Sequence, residues 1–412
     1  MATAPLAVFA LAVALRLAVG LVLITNGSES YVLSSDDGDA YVASARWAAF
    51  GEPIEMTERL AGKWSPDVSP ADRWPSGYWL FLAAHYAVFG FQHLTPLVVQ
   101  ALLGGAGAWA AYSIASRLLA PLWPAVAGAL VAASSTLVYL SATLSAEALY
   151  VPLLLVALEL LLRRGPRAAV LSGALFALAQ VTRPLALPVF VLALAWRART
   201  PSHAAALLAG FALTLAPFLA AFGSQAVFTA GGEAAFHDTG VGHLAQDLVV
   251  QGVDPYHRGF GPSIVAAISN PLPVAAAVLS AVPERLNIQF LTGGWAPIAE
   301  PALSATPAAI AIPVRALIWL LAALGLARLL RDPATRAAAT LLALTVLAIV
   351  LPPLVAGLPL VRYRAPADPI FLLFLTASLH QLSQQWPTTS RAPAPRSKLP
   401  RPSREAAVIH RE

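Results

Sequence analysis

The sequence contains no cysteine, and only 11% of its 412 residues are charged. The absence of cysteine excludes disulfide bonds and thiol chemistry. Soluble domains usually carry about 25% charged and 45–50% apolar residues, whereas 58% of this chain is hydrophobic. This shortage of charge argues against a soluble domain and predicts an integral membrane protein.

The hydrophobic residues are concentrated in runs of about 20 residues, which is the length needed to cross about 30 Å of hydrocarbon. The runs are continuously apolar rather than alternating, so they predict spanning helices and not a barrel. The first run starts at Pro5, contains Arg16 and is too long for the core of a cleavable signal peptide, so we interpret it as the first span. About ten spans are predicted, at residues 5–25, 94–117, 122–140, 145–162, 168–182, 184–196, 203–222, 307–328, 335–356 and 366–382.

Basic residues fall on one side of this topology, which explains the net charge of +5 without nucleic-acid binding. If the N-terminus is cytoplasmic, the positive-inside rule requires basic loops on that side. The loops on that side carry Arg117, Arg163, Arg164, Arg167, Arg197, Arg199, Arg328, Arg331 and Arg336. One miscounted span would invert every later loop, so this agreement supports the count. It also predicts a cell-membrane protein with both termini in the cytoplasm.

Two long segments, residues 26–93 and 223–306, then lie outside the cytoplasm. Both mix Trp, Tyr, Pro and Gly with short apolar stretches, a pattern typical of helices that lie at the membrane interface. The predicted interfacial helices are residues 40–50, 78–89 and 262–282. The predicted fold is thus an all-α membrane domain over residues 1–385 with two extracytoplasmic loops, followed by a disordered basic cytoplasmic tail at 386–412.

Carboxylates cluster in the first of these loops. Asp36, Asp37 and Asp39 stand within four positions, and like charges this close favour a bound proton or a cation. The cluster suits a general base, a site for a divalent cation such as Mg²⁺ or Mn²⁺, or both. A plainer interpretation is a solvated turn that caps the helix beginning near Ala40.

An acid and three arginines from distant parts of the chain fall on the same predicted side. Glu147 begins the fourth span, Arg183 separates two short spans, and Arg362 and Arg364 precede the last span. The plainer interpretations are a helix N-terminal acid for Glu147 and a snorkelling interfacial residue for Arg183. Arginines can bind phosphate through bidentate hydrogen bonds, and a carboxylate can take the proton of an attacking hydroxyl. These groups are the ones needed to displace a lipid phosphate from a sugar carbon.

In these segments the chain resembles the GT-C glycosyltransferases, particularly the bacterial branch related to protein O-mannosyltransferases and aminoarabinose transferases. The similar stretches cover much of residues 10–200 and the last span. They are the Asp-rich string at 34–41 with the amphipathic helix after it up to Gly51, and residues 73–90, 141–150, 173–184 and 362–366 with Pro369. Their shared order and sidedness are typical of the superfamily rather than of one subfamily.

The resemblance implies that an aspartate of the first loop is the catalytic base, with Asp37 the first choice and Asp39 and Asp36 next. Gly38 follows Asp37 where the family commonly has an Asp–Glu pair. Glu147 matches a second acidic position of the family. The resemblance also implies Arg183, Arg362 and Arg364 for the carrier phosphate. Tyr41, Tyr78, Tyr256 and Arg258 are additional candidates for contacts with the sugar or acceptor.

The implied reaction moves a sugar from a polyprenyl-phosphate donor to a hydroxyl of a lipid, glycan or protein, with inversion at the anomeric carbon. The metal requirement stays open, because arginines alone can serve a lipid-phosphate leaving group. A transporter or lipid flippase is an alternative, but it predicts two related halves as well as charge at mid-membrane depth. Arg16 provides such a charge, whereas the sequence shows no repeat. A GT-C-like subunit without catalytic activity is a second alternative.

Three further patterns predict structural roles. Arg16 lies in the middle of a span, so it should face protein or a cavity. Glu159 and Arg163 are four residues apart and should pair on one helix face near the cytoplasmic surface. The small residues at 104–107 should allow close helix packing.

Overall fold

The computed structural model describes residues 3–25, 38–53, 75–223, 307–355 and 364–385, together with the isolated positions 272 and 276. The described residues form helices and their connections, with no β-strand among them. The helices are α1 (Ala4–Thr25), α2 (Gly38–Phe50), α3 (Ser76–Phe89), α4 (Leu94–Ala115), α5 (Trp123–Ala133), α6 (Ser135–Ala142), α7 (Glu147–Leu162), α8 (Pro166–Thr182), α9 (Ala186–Arg197), α10 (Pro201–Phe222), α11 (Ala308–Arg331), α12 (Pro333–Val355) and α13 (Asp368–Gln385). A 3₁₀ turn over Ala365–Ala367 precedes α13.

Each predicted span coincides with a helix or, for residues 122–140, with the pair α5 and α6. Five helices are long and apolar enough to cross a membrane, namely α1, α4, α10, α11 and α12. The pair α5 and α6 adds a sixth if it forms one span that is bent by 47°. The described chain is therefore all-α with several candidate membrane spans, while the full count of ten stays a prediction.

The candidate spans carry apolar side chains on their outer faces. Leu6, Val22, Leu213, Leu320 and Leu347 are each more than half exposed. Many exposed large apolar side chains on long helices are unfavourable in water but not in lipid. These helices therefore suggest a bilayer environment.

Two of the three predicted interfacial segments are helical. Residues 40–50 lie in α2 and residues 78–89 lie in α3. The third, at 262–282, lies outside the described residues apart from the two isolated positions, and so do the rest of the second loop up to residue 306 and the tail from residue 386.

The central helix α7 contacts two separate groups of helix ends. Near its start, Leu149 packs in one buried cluster with Tyr41 of α2, Tyr78 of α3 and Leu97 at the start of α4. Near its end, Glu159 accepts hydrogen bonds from Ser113 and Arg117, at the end of α4. Arg197, at the end of α9, donates to the Leu161 carbonyl at the same end of α7. We call these regions the Glu147 end and the Glu159 end. Arg117 and Arg197, which the loop charges predict on one side of the membrane, both lie at the Glu159 end.

Glycines allow close contacts between α1, α4 and α7. A Cβ atom at Gly104 would lie 2.2 Å from Nε of Arg16, and one at Gly107 would lie 3.3 Å from Cα of Pro152. The prediction of close packing at residues 104–107 is confirmed. The pairing of Glu159 with Arg163 is confirmed as well, with Nε of Arg163 at 2.9 Å from the carboxylate.

Candidate functional site

A buried ion pair forms the centre of the candidate site. Pro184 disfavours a helical backbone at the residue before it, so α8 ends at Thr182 and Arg183 is extended, with φ −153° and ψ 117°. The Arg183 guanidinium pairs with the carboxylate of Glu147, the first residue of α7. Both side chains are nearly excluded from solvent, at 9% and 3% exposure. The structure thus joins two residues that the sequence placed only on the same predicted side.

Ser145 contributes a hydroxyl to this pair. Its Oγ donates a hydrogen bond to the second carboxylate oxygen of Glu147. A buried carboxylate needs such partners because it has lost its water. The ion pair with Arg183 and the hydrogen bond from Ser145 engage different oxygens of Glu147 and so orient the carboxylate.

Two predicted contact residues, Tyr41 and Tyr78, lie beside the pair. Their ring centroids are 4.8 Å apart in an edge-to-face arrangement. Burial raises the pKa of Tyr78 well above its usual value, with smaller contributions from Tyr86, Tyr41 and Glu147. The Tyr78 hydroxyl is therefore a hydrogen-bond donor, and it donates to Oε1 of Gln100 at 2.7 Å.

The missing side chain of Gly77 brings α3 against the end of α8. A Cβ atom at Gly77 would lie 2.8 Å from Oγ1 and 2.9 Å from the main-chain nitrogen of Thr182. Two residues after Gly77, the Trp79 ring packs edge-to-face on the Phe222 ring of α10, with the ring centroids 5.6 Å apart. This packing holds α3 against Thr182, the residue before Arg183.

Asp39 is the member of the aspartate cluster that the structure describes. It lies in the first turn of α2, where Oδ1 accepts a hydrogen bond from the main-chain N–H of Ala40 at 2.9 Å. It stands two residues before Tyr41 and thus near the tyrosine pair. Asp36 and Asp37, the latter our first choice for the base, lie outside the described residues.

The predicted phosphate-binding arginines are not all brought together in the described structure. Nε of Arg364 is 3.4 Å from Oδ1 of Asp368, and both side chains are buried. The 3₁₀ turn that follows Arg364 contacts α7. Arg362 lies outside the described residues, as do Tyr256 and Arg258.

The position of Arg364 along the bundle follows from the other end of α13. The His380 ring lies 5.5 Å from the Trp123 ring at the start of α5, on the side of the Glu159 end. Arg364 precedes the opposite terminus of α13, so it lies toward the Glu147 end.

Arg16 lines a small cavity together with Glu147 and Ser141. The cavity volume is about 20 Å³, enough for about one water molecule. Arg16 is buried and donates to Oγ of Ser141 at 3.3 Å and to the carbonyls of Ala12 and Ala132 at 3.0 and 3.1 Å. The prediction that Arg16 faces protein or a cavity is confirmed.

Two buried polar residues were missed by sequence reasoning, and both had a signal. Asp368 follows Arg364 by four residues, the spacing of an ion pair on one helix face. Gln100 is a polar side chain inside an apolar span, where it needs a partner from a neighbouring helix. It bonds to Tyr78 and to two carbonyls of the segment before Glu147.

A metal site is not formed within the described part of the chain, where no three His, Asp or Glu side chains are grouped suitably. The remaining cation candidate is the cluster of Asp36, Asp37 and Asp39, of which the structure describes one residue. The described side chains of the site are a carboxylate, a guanidinium, an aspartate and phenol groups, and most of them are buried. No protein-family model matches the chain, and no curated protein is significantly similar to it.

Proposed function

We propose that this chain is a membrane glycosyltransferase of the GT-C type, with its active site at the Glu147 end on the extracytoplasmic face. Its donor is a polyprenyl-phosphate sugar and its acceptor is a hydroxyl of a lipid, glycan or protein. The observation that carries the proposal is the buried Glu147–Arg183 pair beside Tyr41 and Tyr78. Asp39, a member of the acidic cluster, lies in the first turn of the helix that supplies Tyr41.

Arg183 is suited to bind the phosphate of the donor. A guanidinium forms strong, directed hydrogen bonds with phosphate oxygens, and exclusion of water strengthens them. In the resting protein Glu147 compensates the charge of Arg183 and holds it in place. Arg364 and Arg362 would supply further positive charge from the segment before α13.

The reaction is a single displacement at the anomeric carbon. The acceptor oxygen forms a bond to that carbon while the bond from carbon to the phosphate oxygen breaks. The lipid phosphate leaves with the electron pair, and the hydroxyl proton passes to an aspartate of the first loop, Asp37 before Asp39 and Asp36. Attack opposite the leaving group inverts the anomeric configuration.

A transporter or flippase is the main rival, and buried Arg16 is the residue that favours it. The described bonds of Arg16 run to Ser141 and to two main-chain carbonyls, which fits a structural role. The cavity that it lines has room for about one water molecule. In its described contacts, Arg16 therefore does not favour the rival.

The test uses membranes of a deletion strain complemented with the wild-type chain or a variant, because these membranes contain the acceptor. Mannose, arabinose and aminoarabinose linked to polyprenyl phosphate are supplied, and free polyprenyl phosphate is measured by mass spectrometry. The wild type should release carrier from at least one donor. Asp37→Asn should lower this rate about 10²- to 10⁴-fold, the usual contribution of a general base.

Glu159→Gln is the matched control, because Glu159 is an equally buried acid at the other end of the same helix. It should retain a near wild-type rate, whereas Glu147→Gln should not. Wild-type rates in Asp36→Asn, Asp37→Asn and Asp39→Asn alike would remove the proposed base. Absence of carrier release from all three donors by the wild type would overturn the donor class. Treatment with a chelator decides whether a divalent cation takes part.

A further inference from the structure

The segment that leads into Glu147 is interrupted twice, and each interruption frees main-chain carbonyls. Helix α5 ends at Ala133 and α6 begins at Ser135, with a bend of 47° between them. Helix α6 then ends at Ala142, and the four residues 143–146 separate it from α7, which begins at Glu147. The last carbonyls of a helix have no intrahelical partner. At membrane depth such groups must be satisfied by other parts of the protein.

Gln100 of α4 satisfies the carbonyls at the second interruption. Its Nε2 donates to the carbonyl of Ser141 at 3.0 Å and to that of Thr143 at 2.9 Å. Its Oε1 accepts from the Tyr78 hydroxyl at 2.7 Å. The side chain is fully buried, so one amide links α3, α4 and the start of the segment before Glu147.

Arg16 of α1 serves the first interruption in the same way. Its guanidinium donates to the Ala132 carbonyl at 3.1 Å, at the end of α5, and to the Ser141 hydroxyl at 3.3 Å. Ser141 is thus held by Arg16 through its side chain and by Gln100 through its main chain. Arg16, Ser141 and Glu147 also line one cavity.

We propose that Gln100 and Arg16 are positioning residues, which hold residues 141–146 so that the Glu147 carboxylate faces Arg183. Neither residue touches the reacting groups; each acts through the main chain that carries Ser145 and Glu147. Loss of the Gln100 amide would leave two buried carbonyls to find new donors, and residues 141–146 would shift to provide them. The catalytic consequence rests on the function proposed above, whereas the structural consequence does not.

The structural arm measures hydrogen–deuterium exchange of the purified chain in lipid nanodiscs. Gln100→Leu keeps the size of the side chain and removes its polar atoms. We expect the amides of residues 143–149 to exchange about 3- to 20-fold faster, because local opening becomes easier when a cross-helix bond is lost. Tyr78→Phe removes only the hydroxyl that orients Gln100 and should give a smaller change at the same amides.

The matched control is Thr376→Val in α13. Thr376 is fully buried, but its hydroxyl bonds to the Leu372 carbonyl of its own helix. This variant should leave exchange at residues 143–149 unchanged. Equal exchange of these residues in wild type, Gln100→Leu and Tyr78→Phe would overturn the proposal, and this reading needs no turnover.

The catalytic arm measures carrier release in the complemented membranes described above. Gln100→Leu should lower the rate about 10- to 100-fold, the cost of a misplacement near 1 Å. In a Glu147→Gln background the same change should have little further effect, since Gln100 acts through Glu147. Full additivity of the two changes would mean general destabilisation and would overturn the positioning role. A wild type that releases no carrier refutes the proposed function alone, because the exchange result stands independently.

Discussion

The two ends of α7 each carry a buried glutamate, but its surroundings differ. Glu147 pairs with Arg183, and both side chains are below 10% exposure. Glu159 is fully buried yet meets two arginines, Arg117 and Arg163, whose side chains are 34% and 42% exposed. The Tyr41–Tyr78 pair lies near the first glutamate, whereas Ser113 supplies the third partner of the second.

The charged side chains at the Glu147 end are buried, whereas the arginines at the Glu159 end are partly exposed. At the Glu159 end two arginines pair with one carboxylate. Glu159 therefore keeps one arginine partner when the other is replaced. At the Glu147 end both charges are desolvated, which costs free energy that the attraction barely offsets. A buried ion pair is therefore weak evidence for a purely stabilising role. This contrast supports the proposed active site at the Glu147 end and fits an anchoring role at the Glu159 end.

The largest expected difference between the two ends is the side of the membrane that each one faces. The chain has no cysteine, so single cysteines report without background. Pro53→Cys follows α2 at the Glu147 end, and Arg199→Cys follows α9 at the Glu159 end; both positions are exposed. On intact cells a membrane-impermeant maleimide should label the first variant and reach the second only after permeabilisation. Labelling of both from one side would refute the proposed topology.

The next largest difference concerns stability. Arg183→Met should lower the free energy of unfolding by about 3–5 kcal/mol, because it leaves the buried Glu147 carboxylate without its cation. Arg117→Met should cost about 0–1 kcal/mol, because Arg117 is partly exposed and Arg163 still pairs with Glu159. Thermal unfolding of both variants in the same nanodiscs measures the contrast. Equal losses would show that the two ends are energetically alike.

Glycines near the two ends should fail for different reasons when replaced by alanine. Gly77→Ala puts a methyl group within 3 Å of Thr182 and should cost about 1–3 kcal/mol of stability through overpacking. Gly165, near the Glu159 end, has open space around it but a φ of +115°, which alanine adopts only with about 1–2 kcal/mol of strain.

Carrier release distinguishes these two glycines more clearly than stability does. Gly77→Ala pushes α3 away from Arg183 and should lower the rate, whereas Gly165→Ala should preserve it in the folded fraction. The rate per folded molecule, with folded protein quantified by size-exclusion fluorescence, makes the comparison. Loss of rate in both variants would mean that the site extends to the Glu159 end.

Sequence reasoning located the helices because the apolar runs are long and continuous and most of them end at glycine or charge, and these features act locally. It also placed Glu147 and Arg183 on one side, since parity along the chain determines sides. It did not indicate that the two would pair, because that contact depends on where α8 stops against α7. The role proposed for Gln100 depends on the main-chain carbonyls of Ser141 and Thr143. No pattern of residue types in the sequence predicts that these carbonyls need a donor. Asp37 stays a prediction, as it lies outside the described residues.

The smallest expected difference is the response of the two ends to salt. Raising ionic strength from 0.01 to 1 M shortens the Debye length from about 30 to about 3 Å, which screens exposed charges and leaves buried pairs nearly unaffected. The stability lost in Arg163→Met should be small because Arg117 still pairs with Glu159, and it should shrink further in high salt because the Arg163 side chain is 42% exposed. The loss in Arg183→Met should stay the same, because both side chains of the Glu147–Arg183 pair are buried.

Unfolding midpoints of both variants, each relative to wild type at the two salt concentrations, give the comparison. A salt-sensitive loss in Arg183→Met would mean that water reaches the pair, and the dry setting proposed for phosphate binding would have to be abandoned.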